Sequence, residues 1–361
     1  MKIGVLGSGQ LGRMLALAGL PLGHTFSFYD STPSTSTMGL GPVTAGAFDD
    51  VEALTAFARD CDVVTYEFEN VPCKAAEAIQ KIVPVYPPPR ALEVSQDRVI
   101  EKEFFRSLDI PTPDFRAVAS EPELRTACSE LGTPCIVKTR RLGYDGKGQA
   151  RISTPSEVAP VWQALGGTPL IVEAFVPFSR ELSVIAVRAI NGQIKIYPLA
   201  FNIHRSGILY RSEIPAPGVS QALAQGAYEI ITKVLNELQY VGVLAIELFE
   251  IDGRLVANEM APRVHNSGHA TIDGSTTSQF ENHIRAITGL ALGSVVSRAS
   301  AIMYNLVGTL PDEGEITDIP SSRLHLYHKA PRPGRKLGHV TLVNPTSQDE
   351  ERVKGLIGGG L

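Results

Sequence analysis

Gly143-Tyr144-Asp145-Gly146-Lys147-Gly148-Gln149 begins five residues after Lys138, the lysine that closes the apolar run Cys135-Ile136-Val137. Glycine-rich backbone carries a large ordering entropy, which makes sense where a loop must move or approach a ligand closely. A lysine at the end of a buried strand aims its ammonium into a cleft, so loop and lysine together suit phosphate oxygens. The bland alternative is a hairpin tip beside a solvated lysine. Further along come Glu247 and Asn258-Glu259, on consecutive expected strands. Spaced carboxylates suit the Mg²⁺ that accompanies a nucleoside triphosphate such as ATP. The order of these parts along the chain favours phosphate chemistry over the bland reading.

Working outward, the chain around this loop reads as a small α/β unit. Asp114–Val118, Cys135–Lys138, Ala150–Ile152 and Leu170–Ala174 are expected strands, and Glu121–Leu131 and Ser156–Ala164 are helices. Longer antiparallel-type strands follow at Glu181–Ile190, Gln193–Ala200, Val243–Ile251 and Arg254–Met260, with helix Ser220–Leu238 packed on them. Asn191-Gly192 and Asp252-Gly253 sit between strand pairs and are strong hairpin signals. Counting outward from Asp252-Gly253 puts Glu247 roughly opposite Glu259, within reach of one cation. Two carboxylates that close repel by about 1 kcal/mol in water and by several at lower dielectric. A metal ion removes that cost.

Before this region, residues 1–95 alternate strands (Ile3–Leu6, Thr25–Tyr29, Val63–Tyr66) with helices (Gln10–Gly19, Val51–Ala58, Cys73–Lys81). That alternation predicts a parallel sheet covered on both faces. Pro84 and Pro87-Pro88-Pro89 read as a rigid linker, with helix Asp97–Leu108 after it. Gly7-Ser8-Gly9-Gln10-Leu11-Gly12 follows the first strand, and Asp30 ends the second, which is the local pattern of a dinucleotide fingerprint. An NAD-dependent oxidoreductase is therefore an alternative function. Two other readings of the same glycines are tight packing and a substrate phosphate on the helix N-terminus. From about Ala299 the tail is strand-rich and reads as a small β unit.

Several residues take candidate roles. Glu173 ends its strand beside Ala174-Phe175-Val176, a segment suited to an adenine slot, and Glu181 opens the next strand, where it would accept ribose hydroxyls. Arg263 offers a planar fork for a small oxyanion, and Asn266 is a candidate third oxygen ligand. His265 and His269 have the spacing of a helical metal pair, but the adjacent proline and the lack of a nearby cysteine disfavour zinc. Lys329, Arg332, Arg335 and Lys336 form a basic cluster, either a solvated loop or a site for a substrate phosphate.

Composition narrows the field. The formal charge of −5 and the absence of a basic, aromatic-interleaved stripe disfavour nucleic acid. No apolar run approaches the roughly 20 residues of a membrane span. Met1 runs straight into the first strand, which makes the cytoplasm the expected location. Cys61, Cys73, Cys128 and Cys135 form no C-x-x-C pair and read as reduced packing residues.

Taken together the segments resemble the ATP-grasp superfamily and, within it, the N5-carboxyaminoimidazole ribonucleotide synthetases, the ATPase subunits of phosphoribosylaminoimidazole carboxylase. The resemblance is carried by GSGQLGRM at the start, YEFENVP at Tyr66–Pro72, QDR at Gln96–Arg98, GYDGKGQ, Glu173–Val176, NEMAPRVHNSGH at Asn258–His269 and HKAPRPGRKLGH at His328–His339. Val264, Ala270 and His328 depart from the pattern, but every charged position is kept. The resemblance implies a mixed α/β and α+β chain in three parts: a Rossmann-like domain (1–95), an ATP-grasp domain of two α+β subdomains (96–298, the smaller about 112–176) and a small C-terminal β domain (299–361). It implies ATP and Mg²⁺ as cofactors, bicarbonate and 5-aminoimidazole ribonucleotide as substrates, and a homodimer. ATP contacts carry over to Arg98, Lys138, Gly143–Gln149, Glu173–Val176, Glu181, His204 and Asn258-Glu259, with Glu247 and Glu259 as metal ligands. Catalytic and substrate contacts would fall on Tyr144, Asp145, Lys147, Arg263, His265, Lys329 and Arg335. The ribonucleotide phosphate is expected at Arg335, Lys336 and the turn holding Gly9 and Gln10. Another ATP-grasp carboxylate–amine ligase acting on a phosphorylated acceptor is the second enzyme reading.

Overall fold

The computed structural model describes residues 1–143 and 146–358. Its N-terminal part is the expected alternation: β1 (Lys2–Leu6), α1 (Gln10–Gly19), β2 (Thr25–Asp30), β3 (Val43–Ala45), α2 (Val51–Arg59), β4 (Val63–Tyr66) and α3 (Cys73–Gln80). The strands form a parallel sheet in the order β3-β2-β1-β4. The proline run is not a linker. Pro88 caps and Pro89 opens a helix, α4 (Pro89–Ser95), because a first-turn proline loses no intrahelical bond and its φ is already helical. Leu92 of α4 packs into the N-terminal core, while Ala91 and Val94 pack into the central one. The prolines thus begin a wedge between two cores.

Helix α5 (Arg98–Ser107) starts at Asp97, whose carboxylate accepts from Val99 N at 3.0 Å. A four-stranded antiparallel sheet follows, with the order β5-β8-β6-β7. Its elements are β5 (Phe115–Val118), α6 (Glu121–Leu131), β6 (Cys135–Thr139), β7 (Gln149–Ile152), α7 (Val158–Leu165) and β8 (Leu170–Ala174). The glycine loop joins β6 to β7, and Asp97 grips its base through Arg140 and Arg141.

The large sheet contains β9 (Arg180–Arg188), β10 (Ile194–Ile196), β11 (Ala200–Arg205), β12 (Ile208–Ile214), β13 (Gly242–Ile251) and β14 (Arg254–Ala261). Helix α8 (Gln221–Glu237) lies between β12 and β13 in sequence. The single strand expected over 193–200 is instead the short β10, which ends ahead of Pro198, and a new strand from Ala200. The turn Ser206-Gly207, with φ of 50° and 77°, reverses the chain into β12, an element the sequence reading did not identify. Asp252-Gly253 forms the expected turn, with φ of 49° and 75°.

Helices α9 (Thr271–Gly274) and α10 (Gln279–Ile287) lead to the C-terminal unit: β15 (Ala301–Val307), α11 (Glu313–Thr317), β16 (Ser322–Leu326), β17 (Lys336–Val343) and α12 (Ser347–Ile357). This unit has its own core around Tyr304, Leu306, Val340 and Val353. Its strands nevertheless continue the large sheet, in the order β14-β13-β9-β11-β12-β15-β17-β16. Apolar residues of β1 and β2 share one core with β9, β13 and α10. At that seam His283 Nδ1 accepts from Val243 N at 3.1 Å, so Nε2 carries the proton it donates to Thr65 Oγ1 at 2.9 Å.

Candidate active site

A cavity of about 710 Å³ lies where the three sheets meet. Of the described residues that the family resemblance marks as site residues, all but Gly148 and Arg335 line it, and Arg332 of the basic cluster does not. Tyr144 and Asp145 lie outside the described residues.

Glu247 and Glu259 are cross-strand partners. Strict counting from the turn would pair Glu247 with Asn258, because Leu248 faces Ala257. A β-bulge at this point adds one residue to β14 and brings Glu259 into register instead. The result is two carboxylates on one face, and their ionisation splits accordingly. Burial and the neighbouring charge of Glu259 push Glu247 up to about 7. Burial would raise Glu259 as well, but Arg98, whose Nη1 lies 2.6 Å from Glu259 Oε2, holds it at about 2. A divalent cation fits this arrangement: it would relieve the repulsion, and buried Asn258 Oδ1 has no hydrogen-bond partner among the described residues. Asn266 is a poorer third ligand than the sequence suggested, since its amide is paired with Asn305 at 3.1 and 2.7 Å.

Two lysines converge on a third carboxylate, that of Glu173. Lys138 Nζ lies 2.8 Å from Glu173 Oε2, and fully buried Lys102 is 3.5 Å from Oε1. Burial acts to raise Glu173, yet these two ammonium groups hold it at about 2. His204 pairs with Glu181. Burial lowers its pKa, but the hydrogen bond to Glu181 and the charge of Glu247 outweigh that, so it is raised. Both sit on facing stretches of β11 and β9, at the cavity wall.

The glycine loop crosses to the large sheet. Gly146 (φ 74°) meets Gly207 backbone to backbone, and a Cβ on Gly207 would sit 2.6 Å from Gly146 Cα. Gly148 points away from the cavity and packs on Thr139, where a Cβ would be 2.6 Å from Oγ1. The loop is therefore a hairpin connection that also closes one side of the cavity.

Arg263 is gripped by Glu69 through Nε and donates to Val264 O at 3.2 Å through Nη1. His265 Nδ1 accepts from Ser267 N at 3.3 Å, which puts the ring proton on Nε2, 3.6 Å from Glu247 Oε1. Burial and the nearby Arg263 charge lower its pKa to about 3, so the ring is neutral. Lys329 donates to Gln10 Oε1, and Lys336 also lines the cavity. Arg335 does not, and it donates instead to Ala330 O at 3.2 Å.

The N-terminal glycines do not make a dinucleotide site. Glu67 accepts from Gly9 N and, at 2.6 Å, from Gly12 N, so a carboxylate already fills the helix N-terminus. Gly7 (φ 110°) is required because a Cβ there would lie 2.3 Å from Glu67 Cγ. Asp30 is occupied by Ser8, through N at 2.8 Å and Oγ at 2.7 Å, rather than offered to a ribose. The same contacts engage the backbone donors of Gly9 and Gly12, while Gly9 and Gln10 both line the cavity. Glu67, Glu69, Glu101 and Lys102 took no role in the sequence reading. Glu67 and Glu69 alternate in YEFENVP, and that spacing is the one signal that marked them.

A cleft floored by paired carboxylates and faced by lysines and a glycine loop is the site of a nucleotide-dependent ligase of the ATP-grasp class. The ATP-grasp domain model matches residues 103–280, a ribonucleotide synthetase preATP-grasp domain matches 1–96, and a phosphoribosylaminoimidazole carboxylase C-terminal domain matches 301–352. The chain is 48% identical over 342 residues to the N5-carboxyaminoimidazole ribonucleotide synthase of Pseudomonas aeruginosa, covering 95% of this chain and 94% of that one. It superposes on N5-carboxyaminoimidazole ribonucleotide synthetase from Thermus thermophilus with a TM-score of 0.93 at 48% identity, over 98% of both chains. For the Aspergillus clavatus N5-carboxyaminoimidazole synthase, solved with ADP and 5-aminoimidazole ribonucleotide, the TM-score is 0.90 at 33% identity, over 99% of this chain and 97% of that one. The chain belongs to the N5-carboxyaminoimidazole ribonucleotide synthase family.

Proposed function

We propose that this chain carboxylates 5-aminoimidazole ribonucleotide with bicarbonate, driven by ATP, giving N5-carboxyaminoimidazole ribonucleotide, ADP and phosphate. The observation that carries the reading is a single cavity lined both by Lys138, Glu247 and Glu259 and by Gln10, Lys329 and Lys336. A nucleotide at the first group and a phosphorylated acceptor at the second would meet in one chamber.

Bicarbonate is a poor electrophile because its charge is delocalised and hydroxide is a bad leaving group. Phosphoryl transfer from ATP to a bicarbonate oxygen converts it to carboxyphosphate, which carries a good leaving group. Such transfer needs positioning and charge neutralisation rather than covalent help. Arg98 and Lys138 stand at the nucleotide end. Arg263, its fork oriented by Glu69, holds bicarbonate, and neutral His265 donates from Nε2. Lys147 stabilises the transferring phosphoryl group. Glu247, Glu259 and Asn258 would hold Mg²⁺, which when bound neutralises phosphate charge. Carboxyphosphate decomposes in water, so the glycine loop against Ser206-Gly207 excludes solvent before attack. The exocyclic amine then attacks the carbon and phosphate leaves; Asp145 is the candidate to orient or deprotonate that amine, with Tyr144 beside it. Lys329, Lys336 and Gln10 take the ribonucleotide phosphate, with Arg335 at the margin.

ADP release tests this reading, with bicarbonate, formate and amino acids scanned in turn, each with and without the aminoimidazole ribonucleotide. Release that requires both bicarbonate and the ribonucleotide is expected. Dependence on formate or an amino acid would make the chain a different carboxylate–amine ligase. A homodimer and a cytoplasmic location are further expectations, the first open to sedimentation equilibrium. Among the described residues no helix is long and apolar enough to cross a membrane.

A further inference from the structure

Helix α5 carries Arg98, Glu101 and Lys102 at three- and four-residue spacing, and so on one face. All three reach the β14 bulge. Arg98 holds the Glu259 carboxylate, Glu101 Oε1 accepts from Met260 N at 2.8 Å, and Lys102 Nζ donates to Asn258 O at 2.6 Å. β14 is the first strand of the large sheet, so its outer backbone groups have no strand to pair with. A bulge on such an edge is a soft point: losing the extra residue from the register would return Asn258 to the place opposite Glu247. Lys102 is 0% exposed and Glu101 2%. A lysine and a glutamate reach such burial only when their partners hold them there. Lys102 also lies 3.5 Å from Glu173, at the end of β8 in the other sheet.

We propose that Glu101 and Lys102 are positioning residues that lock the Asn258 bulge and so set the registration of Glu247 against Glu259. Lys102 ties that registration to the Glu173 end of the nucleotide cleft. The inference rests on reading the two glutamates as cation ligands. Removing groups that orient metal ligands typically weakens metal affinity by about 10- to 100-fold.

The test is Mn²⁺ affinity of the full chain with saturating ADP, read as free Mn²⁺ by electron paramagnetic resonance. It is paired with hydrogen exchange at the Met260 amide in the ligand-free protein. Lys102→Met and Glu101→Leu are each expected to weaken Mn²⁺ binding about tenfold or more. Glu101→Leu also speeds Met260 exchange, and Glu101→Gln, which keeps an acceptor oxygen, restores both readouts. Wild-type Mn²⁺ affinity in Glu101→Leu overturns the proposal, as does weakened affinity with unchanged Met260 exchange. Should Lys102→Met fail to fold, the two Glu101 variants decide alone. Glu259→Ala separates the two readings: undiminished Mn²⁺ binding in that variant defeats the cation site itself, whereas loss there without loss in Glu101→Leu defeats only the lock.

Discussion

Replacing Glu247 with glutamine should stabilise the ligand-free protein while destroying its activity. The carboxyl of Glu247 is raised from 4.5 to about 7 by burial and by the charge of Glu259. A group whose folded pKa is raised binds its proton more tightly in the folded state. Its ionisation therefore costs stability progressively as pH rises from 4.5 to about 7, and the full cost is present above that. At about 1.36 kcal/mol per unit, the cost at pH 8 is about 3 kcal/mol. Glutamine has no such charge. With an unfolding entropy of about 2.1 cal/mol/K per residue, 361 residues convert 3 kcal/mol into a rise in Tm of about 4 °C. The assay is a melting series from pH 5 to 8 without divalent cation, wild type against Glu247→Gln. The gap should be near zero at pH 5 and widen through pH 7. Adding ADP with Mg²⁺ should narrow or reverse it, since a ligand at 100 times its Kd gives the wild type about 2.7 kcal/mol. A variant no more stable than wild type at pH 8, or a gap independent of pH, would refute the repulsion.

Glu259→Ala should abolish ATP turnover with far-ultraviolet circular dichroism unchanged; near-normal ADP release would contradict its role. Lys329→Met should raise the apparent KM for the ribonucleotide more than Arg335→Ala does, with ATP binding unaltered in both; the reverse ranking would contradict the placement of Arg335 outside the cavity. His283, buried between the sheets, is lowered from 6.5 to about 3 by desolvation. As a base kept neutral, it contributes stability above pH 6.5 that is lost as pH falls from 6.5 to 3, about 5 kcal/mol in full. His283→Gln can keep both hydrogen bonds, so its acid unfolding should be less steep than that of wild type below pH 6.

How far the sequence could be read follows from the range of the interactions involved. Asp252-Gly253 announced its hairpin because a two-residue turn with both φ positive is a local demand. Pro89 misled because the residue that ends one helix comfortably begins another, and nothing local says which. β12 escaped because its apolar run, Ile208-Leu209-Tyr210, is short and runs into Arg211, Ser212 and Glu213, whose places in the strand rest on distant partners such as Ser267 for Ser212 and Glu350 for Arg211. The dinucleotide pattern was locally correct, yet Glu67, from the adjacent strand end, occupies the turn that a cofactor would have used. Lys102 gave no signal at all, since an EK pair on a helix is ordinarily a solvated one.

By itself, the order of short-range patterns determined the alternating first sheet, the hairpins, the glycine loop after Lys138 and the two acidic strands, each fixed by φ/ψ demands or by hydrophobic period within a few residues. Tertiary structure alone decided that a bulge puts Glu247 beside Glu259, that Glu67 fills the first helix, and that the C-terminal strands join the large sheet. The reason is physical: a one-residue register shift reverses which face a side chain occupies, and its energy comes from partners more than a hundred residues away, such as Glu101 on Met260.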